Sequence, residues 1–233
     1  MFGRRKKREQ NKAEEQKKSA EQEAPPTRSA GLTGPFDVAD APADDTRIDF
    51  GGLQIPAREG LQISVEADEA QRRMTGLSLL YKETSVQLNA FAAPRSESIW
   101  LGIRDRLRES ITAQGATAEL RDGSFGKELH ARIPVNDPNS RTRSFRPMRF
   151  VGVEGPRWVL RAVISGAAMQ NPALTAEVEE IIRSVVVVRG EGAMAPTEVI
   201  QLRMPGASTT AQQGNPYADI DGISRGPEIA EIR

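Results

Sequence analysis

Hydrophobic and polar positions alternate in short runs through the middle of the chain. Leu61, Ile63 and Val65 alternate with Gln62 and Ser64, and Val86, Leu88 and Ala90 alternate with Gln87 and Asn89. A period of two is that of a half-buried strand, so these segments, with 46–51 and 77–81, predict four short strands. The period then lengthens. Ile99, Ile103, Leu107 and Ile111 recur every four residues, which predicts a helix from an N-cap at Ser96 or Ser98 to Thr112. Arg104, Asp105, Arg108 and Glu109 fall on its other face, and Gly115 ends it.

The second half repeats the scheme. Segments 116–120, 128–133, 148–153 and 158–164 predict strands, and the last is apolar on both faces apart from Arg161, as a central strand must be. Asn171 and Pro172 supply an N-cap and a first helical position for a second helix, with Val178, Ile181, Ile182 and Val185 inward and Glu177, Glu179 and Glu180 outward. Residues 185–188 close the pattern as a strand. The order of four strands, helix, four strands, helix and strand predicts an α+β fold: one antiparallel sheet with two main helices packed on it, an α-β sandwich rather than a doubly wound sheet.

The ends lack such patterning. Residues 1–23 contain no aliphatic side chain larger than alanine after Phe2, so a helix there has no apolar face to bury. Residues 24–46 are rich in Pro, Ala, Gly and Asp, and the stretch from 206 is small, polar and broken by Gly and Pro. The expected organisation is a disordered charged arm and linker over 1–46, one domain over 47–205, and a disordered tail over 206–233. A hydrophobic fraction of 38% with 5% aromatics agrees with a chain that is only partly core-forming.

Composition narrows the chemistry. The absence of cysteine excludes disulfides, thiolate nucleophiles and cysteine-ligated metals, and the single histidine, His130, excludes multi-histidine sites; neither metal nor cofactor is expected. No apolar run reaches the roughly 18–20 residues needed to span a bilayer, and no apolar stretch follows the basic N-terminus as in a signal peptide, so the expected location is cytoplasmic. The zero net charge is a sum of offsets. Residues 1–23 carry eight basic and five acidic residues, 24–46 one and four, 47–189 twenty and seventeen, and 190–233 three and six. A dedicated polyanion binder is excluded by that balance, but a local anion site is not.

Four features remain as candidate sites. In the strand around His130, Glu128, His130 and Arg132 share one face, so a general base oriented by Glu128 is one reading and a plain polar face the other; Ser124, in the Gly-containing turn 122–126, can bond a phosphate or serve such a base. Arg141, Arg143, Arg146, Arg149, Arg157 and Arg161 fall in a stretch with only Asp137 and Glu154 as acids, and guanidinium forks suit phosphates and carboxylates. Arg4, Arg5, Lys6, Lys7 and Arg8 form the densest basic cluster, suited to nucleic acid or an anionic membrane surface. Trp100 and Trp158 read as core anchors.

Segments 122–129, 149–166 and 185–190 resemble an actinobacterial family known only as a domain of unknown function, number 3710, with Gly155-Pro156-Arg157-Trp158 the most specific part. The resemblance implies a cytoplasmic protein with no established activity or cofactor, and a gene context leaning towards nucleic-acid metabolism. The strand and helix order is also similar to the PsbP-like sandwich, which implies binding. The leading expectation is a non-enzymatic binding or adaptor protein whose flexible arms contact a protein partner. The alternative is an enzyme acting on a phosphorylated or acidic small molecule through His130, Glu128 and an arginine-rich loop.

Overall fold

The structure, a computed structural model, describes residues 33–44, 46–68, 73–135 and 144–206. Three short strands come first: β1 (Phe36–Asp37), β2 (Ile48–Asp49) and β3 (Leu53–Ile55). Two antiparallel meanders follow. The first is β4 (Gln62–Asp68), β5 (Arg73–Tyr81) and β6 (Thr84–Ala92); the second is β7 (Thr117–Gly123), β8 (Gly126–Val135), β9 (Ser144–Glu154) and β10 (Trp158–Gly166). Helix α1 (Trp100–Ala113) carries the chain from β6 to the far edge, and the second meander returns until β10 pairs with β6, giving one sheet in the order β4-β5-β6-β10-β9-β8-β7. A 3-10 turn (Ala167–Met169), helix α2 (Pro172–Arg183) and strand β11 (Val186–Val187) complete the fold. The fold is α+β, as predicted, with two helices on an antiparallel sheet.

The central strand explains the layering. Trp158, Leu160, Ala162 and Ile164 of β10 join a core with Val178, Ile181 and Ile182 of α2, whereas Val159 and Val163 join one with Trp100 and Ile111 of α1. Each helix therefore covers its own face of the sheet. Asn171 caps α2 as expected, its Oδ1 accepting from the backbone N–H groups of Ala173 and Leu174 at 3.1 and 3.2 Å.

Three expectations are corrected. First, neither Ser96 nor Ser98 caps α1. Its N-cap residue is Ile99, and the capping acceptor is Glu154 Oε1 of β9, which receives the backbone N–H groups of Ile99 (2.9 Å) and Trp100 (3.0 Å) and the Ser98 hydroxyl (2.9 Å). A carboxylate at a helix N-terminus gains from the dipole as well as from its hydrogen bonds. Second, Arg104 is buried rather than outward. Third, the folded region begins upstream of residue 47. β1 runs parallel to β11, and with β3 and β2 they form a small sheet in the order β1-β11-β3-β2. A two-residue strand between turns has no periodicity to read, and β3, three residues long, shows a single alternation. Residues 1–32 of the expected arm and 207–233 of the expected tail lie outside the described residues.

Candidate functional site

On the α2 side of the sheet, strands β7 and β8, with Arg149 of β9, present charged side chains where β5, β6 and β10 present Leu, Val and Ile. Strand register places Glu119, His130, Arg149 and Ile164 in one row. Thr117, Arg132 and Pro147 form the next row towards one end, and Arg121 and Glu128 are paired towards the other. The polar face read from the β8 alternation is therefore present. Between this face and α2, with the 3-10 turn as a wall, lies a cavity of about 480 Å³ whose lining includes Arg121, His130, Arg132, Met169 and Val178. That volume is in the range of small-molecule sites.

A buried ion network closes its floor. Arg149 is 6% exposed and Glu128 1%. The Arg149 guanidinium donates to both Glu128 oxygens, through Nε to Oε2 and through Nη2 to Oε1 at 2.8 Å. Nη2 also lies 2.7 Å from Glu179 Oε1 of α2 and donates to Ser124 Oγ at 3.3 Å. Glu128 Oε1 accepts the Phe125 backbone N–H at 3.2 Å, and His130 Nε2 stands 3.5 Å from Glu128 Oε2. The second helix is thus tied to the sheet by charge as well as by its apolar face. Glu179, expected on the outer face of α2, is the residue that sequence reasoning missed. No periodicity marks it, because its role depends on where α2 crosses β9.

Burial by itself would push the Glu128 carboxyl up, but hydrogen bonds from His130 and Arg149 and the Arg149 charge hold it below the usual carboxylate range. Burial would likewise lower Arg149, and Glu128 and Glu179 more than offset it, so the arginine stays charged. A carboxyl whose pKa is depressed by folding stabilises the protein above its unfolded value, about 4.3, and this contribution disappears as pH falls through the folded value. We expect thermal stability to drop on acidification below about pH 4, and to drop less steeply in Glu128→Gln. Equal slopes for the two proteins in pH-dependent melting would contradict this assignment.

The remaining predicted residues scatter. Ser124 occupies the two-residue β7–β8 loop, bonded to Arg149. Arg146 is exposed and pairs with Ile133, a residue packed towards α1, so it faces away from the cavity. Arg161 lies on that same side, its Nη2 donating to Asn89 Oδ1 at 2.8 Å and its guanidinium 5.4 Å from the Phe91 ring centroid. Arg157 sits in the β9–β10 turn. Of the four described members of that group, Arg146, Arg149, Arg157 and Arg161, only Arg149 reaches the cavity; Arg141, Arg143 and the cluster Arg4, Arg5, Lys6, Lys7 and Arg8 lie outside the described residues. The cavity's other arginines, Arg121 and Arg132, come from β7 and β8.

Trp100 and Trp158 are core anchors, 3% and 0% exposed. A Cβ built on Gly152 would run into the Trp100 ring, and one on Gly155 into the Trp158 ring. Gly152 and Gly155 thus seat the two indoles. Among the described residues no helix is long and apolar enough to cross a membrane.

Comparison with curated proteins gives no match. Among solved structures the chain is similar to the solution structure of cyanobacterial PsbP (CyanoP) from Synechocystis sp. PCC 6803, at 12% identity and a TM-score of 0.39, over 66% of this chain and 99% of that one. The family model described as "Protein of unknown function (DUF3710)" matches residues 34–211 and so takes in the whole sheet, both helices and the polar face of β7–β9; the chain belongs to that family.

Proposed function

We propose that the domain is a binding module for a small acidic molecule with an apolar body, seated between α2 and strands β7–β9. The carrying observation is Arg132. Arg149 is matched by Glu128 and Glu179, Arg121 pairs with Glu119 at 2.9 Å, and Arg183 pairs with Glu179 at 3.4 Å. Arg132 makes no ion pair among the described residues; its guanidinium lies 5.5 Å from the Phe145 ring centroid. Of the three arginines that line the cavity, Arg121 and Arg149 are therefore paired and Arg132 is not. The facing wall of the 3-10 turn and α2 is largely apolar, with Ala168, Met169 and Val178, and Ile164 of β10 ends the charged row of the sheet with an apolar side chain. A carboxylate or phosphate head on Arg132, beside His130, and an apolar body against α2 satisfy both walls.

Binding is favoured over catalysis by the state of the polar groups. Glu128 gives both oxygens to Arg149, Ser124 accepts from Arg149, and among the described residues no hydroxyl is hydrogen-bonded to His130. Proton transfer by His130 keeps one supporting contact, its 3.5 Å approach to Glu128.

The test is calorimetric titration of the full chain with a set of aromatic and short acyl carboxylates and phosphates. At least one is expected to bind, with Arg132→Ala, an exposed change, weakening it about tenfold, roughly 1.4 kcal/mol. Ligands that bind the variant as tightly as the parent, or a set in which none binds, would overturn the proposal. Chemical conversion of a bound ligand that is lost in His130→Ala would favour the catalytic reading.

A further inference from the structure

A second cavity, of about 350 Å³, lies at the opposite end of β10, where the β9–β10 turn meets β1 and the segment leaving β11. Seven residues of extended chain from Arg157 to Ile164 separate it from the first, roughly 23 Å. Three arginines from three separate segments line it: Arg95 after β6, Arg157 in the turn and Arg189 after β11.

Two of them are held side by side. Arg157 Nη2 donates to the Gly190 carbonyl at 2.7 Å, and Arg189 Nη1 donates to the same carbonyl at 3.0 Å and to that of Gly192 at 2.8 Å. One neutral oxygen therefore receives two guanidinium groups. Among the described residues none of the three arginines makes an ion pair, and the Arg189 Nε is buried without a hydrogen-bond acceptor. Burial, together with the Arg157 charge, pushes Arg189 below the ordinary arginine value.

Nearby carboxylates do not resolve this. Asp37 lines the cavity, but its Oδ2 accepts from Trp158 Nε1 at 2.7 Å and its Oδ1 from the Ala39 N–H at 3.0 Å. Glu198 accepts the Ala195 N–H at 2.9 Å. Asp40 and Glu191 lie exposed on the cavity wall and make no ion pair with the arginines. The Asp37–Trp158 bond also ties β1 to the start of β10, which fixes the turn that carries Arg157. Arg157 and Arg189 are thus pre-positioned, with the exposed Arg95 on the same cavity wall, and like charges fixed as closely as that pair are unfavourable until an anion joins them.

We propose that Arg95, Arg157 and Arg189 form a second anion site, which takes a phosphate group, free or as a monoester. A carboxylate has two oxygens and one charge, whereas a phosphate dianion offers three terminal oxygens, enough for a guanidinium donor from each arginine.

Inorganic phosphate and glycerol 3-phosphate, titrated into the full chain at constant ionic strength, test this, with sodium acetate as control. The readouts are calorimetry and the arginine Nε–H resonances in ¹⁵N-correlated spectra. Phosphate is expected to bind saturably, to shift the Arg189 Nε–H signal and to lose about tenfold in affinity in Arg95→Ala and in Arg189→Gln. Arg95 is exposed and among the described residues makes no hydrogen bond or ion pair, so its variant should melt like the parent. Equal affinity for the two phosphates points to the free ion, and tighter binding of the ester to a larger phosphorylated ligand. A response equal to that of acetate, or phosphate binding lost in Arg132→Ala but intact in Arg95→Ala, would overturn the proposal. The second of these outcomes would leave the reading of the first cavity standing.

Discussion

Replacing Arg149 with methionine is expected to destabilise the domain by about 3–5 kcal/mol, the usual cost of removing one partner from a buried ion pair. For a domain of this size that is a fall in melting temperature of roughly 6–20 °C. The loss has an identifiable source. Methionine fills most of the vacated volume, so the cost is electrostatic: Glu128, 1% exposed, would remain buried with only the Phe125 N–H and His130 beside it. A buried carboxylate without a cation takes up a proton instead, so its folded pKa rises above the unfolded value.

The sign of the pH dependence then reverses. In the parent protein the depressed Glu128 makes acid destabilising. In Arg149→Met the raised carboxyl contributes stability that is present below about pH 4.3 and is lost as pH rises through its folded value, so mild acid should recover part of the loss. Glu128→Leu combined with Arg149→Met removes both charges and should restore much of the stability, since replacing a whole buried pair by apolar side chains is often neutral or favourable. Glu179 remains paired with Arg183 in either variant. A loss below about 1 kcal/mol, or an Arg149→Met variant that is still destabilised by acid, would refute this account of the network.

The parts of this arrangement that were legible in the sequence are those fixed by local period. Alternation in β8 placed Glu128, His130 and Arg132 on one face, and the doubly apolar run 158–164 marked β10 as the central strand. What joins those faces to other elements was not legible. Glu179 reaches Arg149 across thirty residues of sequence, and a helical wheel shows it only as a polar position. Glu154 caps α1 from a neighbouring strand, so no capping residue near 96–98 announces it. Arg95, Arg157 and Arg189 belong to three connections distant in sequence, and each reads alone as a solvated charge. Charge totals are uninformative for the same reason. The network around Arg149 is matched residue by residue, whereas the group around Arg157 is left unmatched, and both contribute to one neutral sum.

Gly152→Ala is expected to cost about 1.5–5 kcal/mol, although alanine is the smallest possible addition. Gly152 has no unusual backbone angle to lose, so the effect is one of space. Its position in β9 lies under the ring of Trp100, the first residue of α1, which is 3% exposed. A methyl group there forces the indole, and with it the start of α1, away from the sheet; overpacking of this kind costs typically 1–3 kcal/mol. Glu154, two residues further along the same strand, accepts the Ile99 and Trp100 N–H groups, so the displacement also stretches the helix cap, a further 0.5–2 kcal/mol or so. Two comparisons separate this mechanism from a general intolerance of substitution. Gly102 in the same helix has open space where a Cβ would go, so Gly102→Ala should stabilise by roughly 0.4–1 kcal/mol. Trp100→Leu costs packing in the parent but should cost less in the Gly152→Ala background, with a coupling of about 1–3 kcal/mol between the two sites. Additive losses in a double-mutant cycle measured by denaturant unfolding would show that the indole does not rest on that glycine.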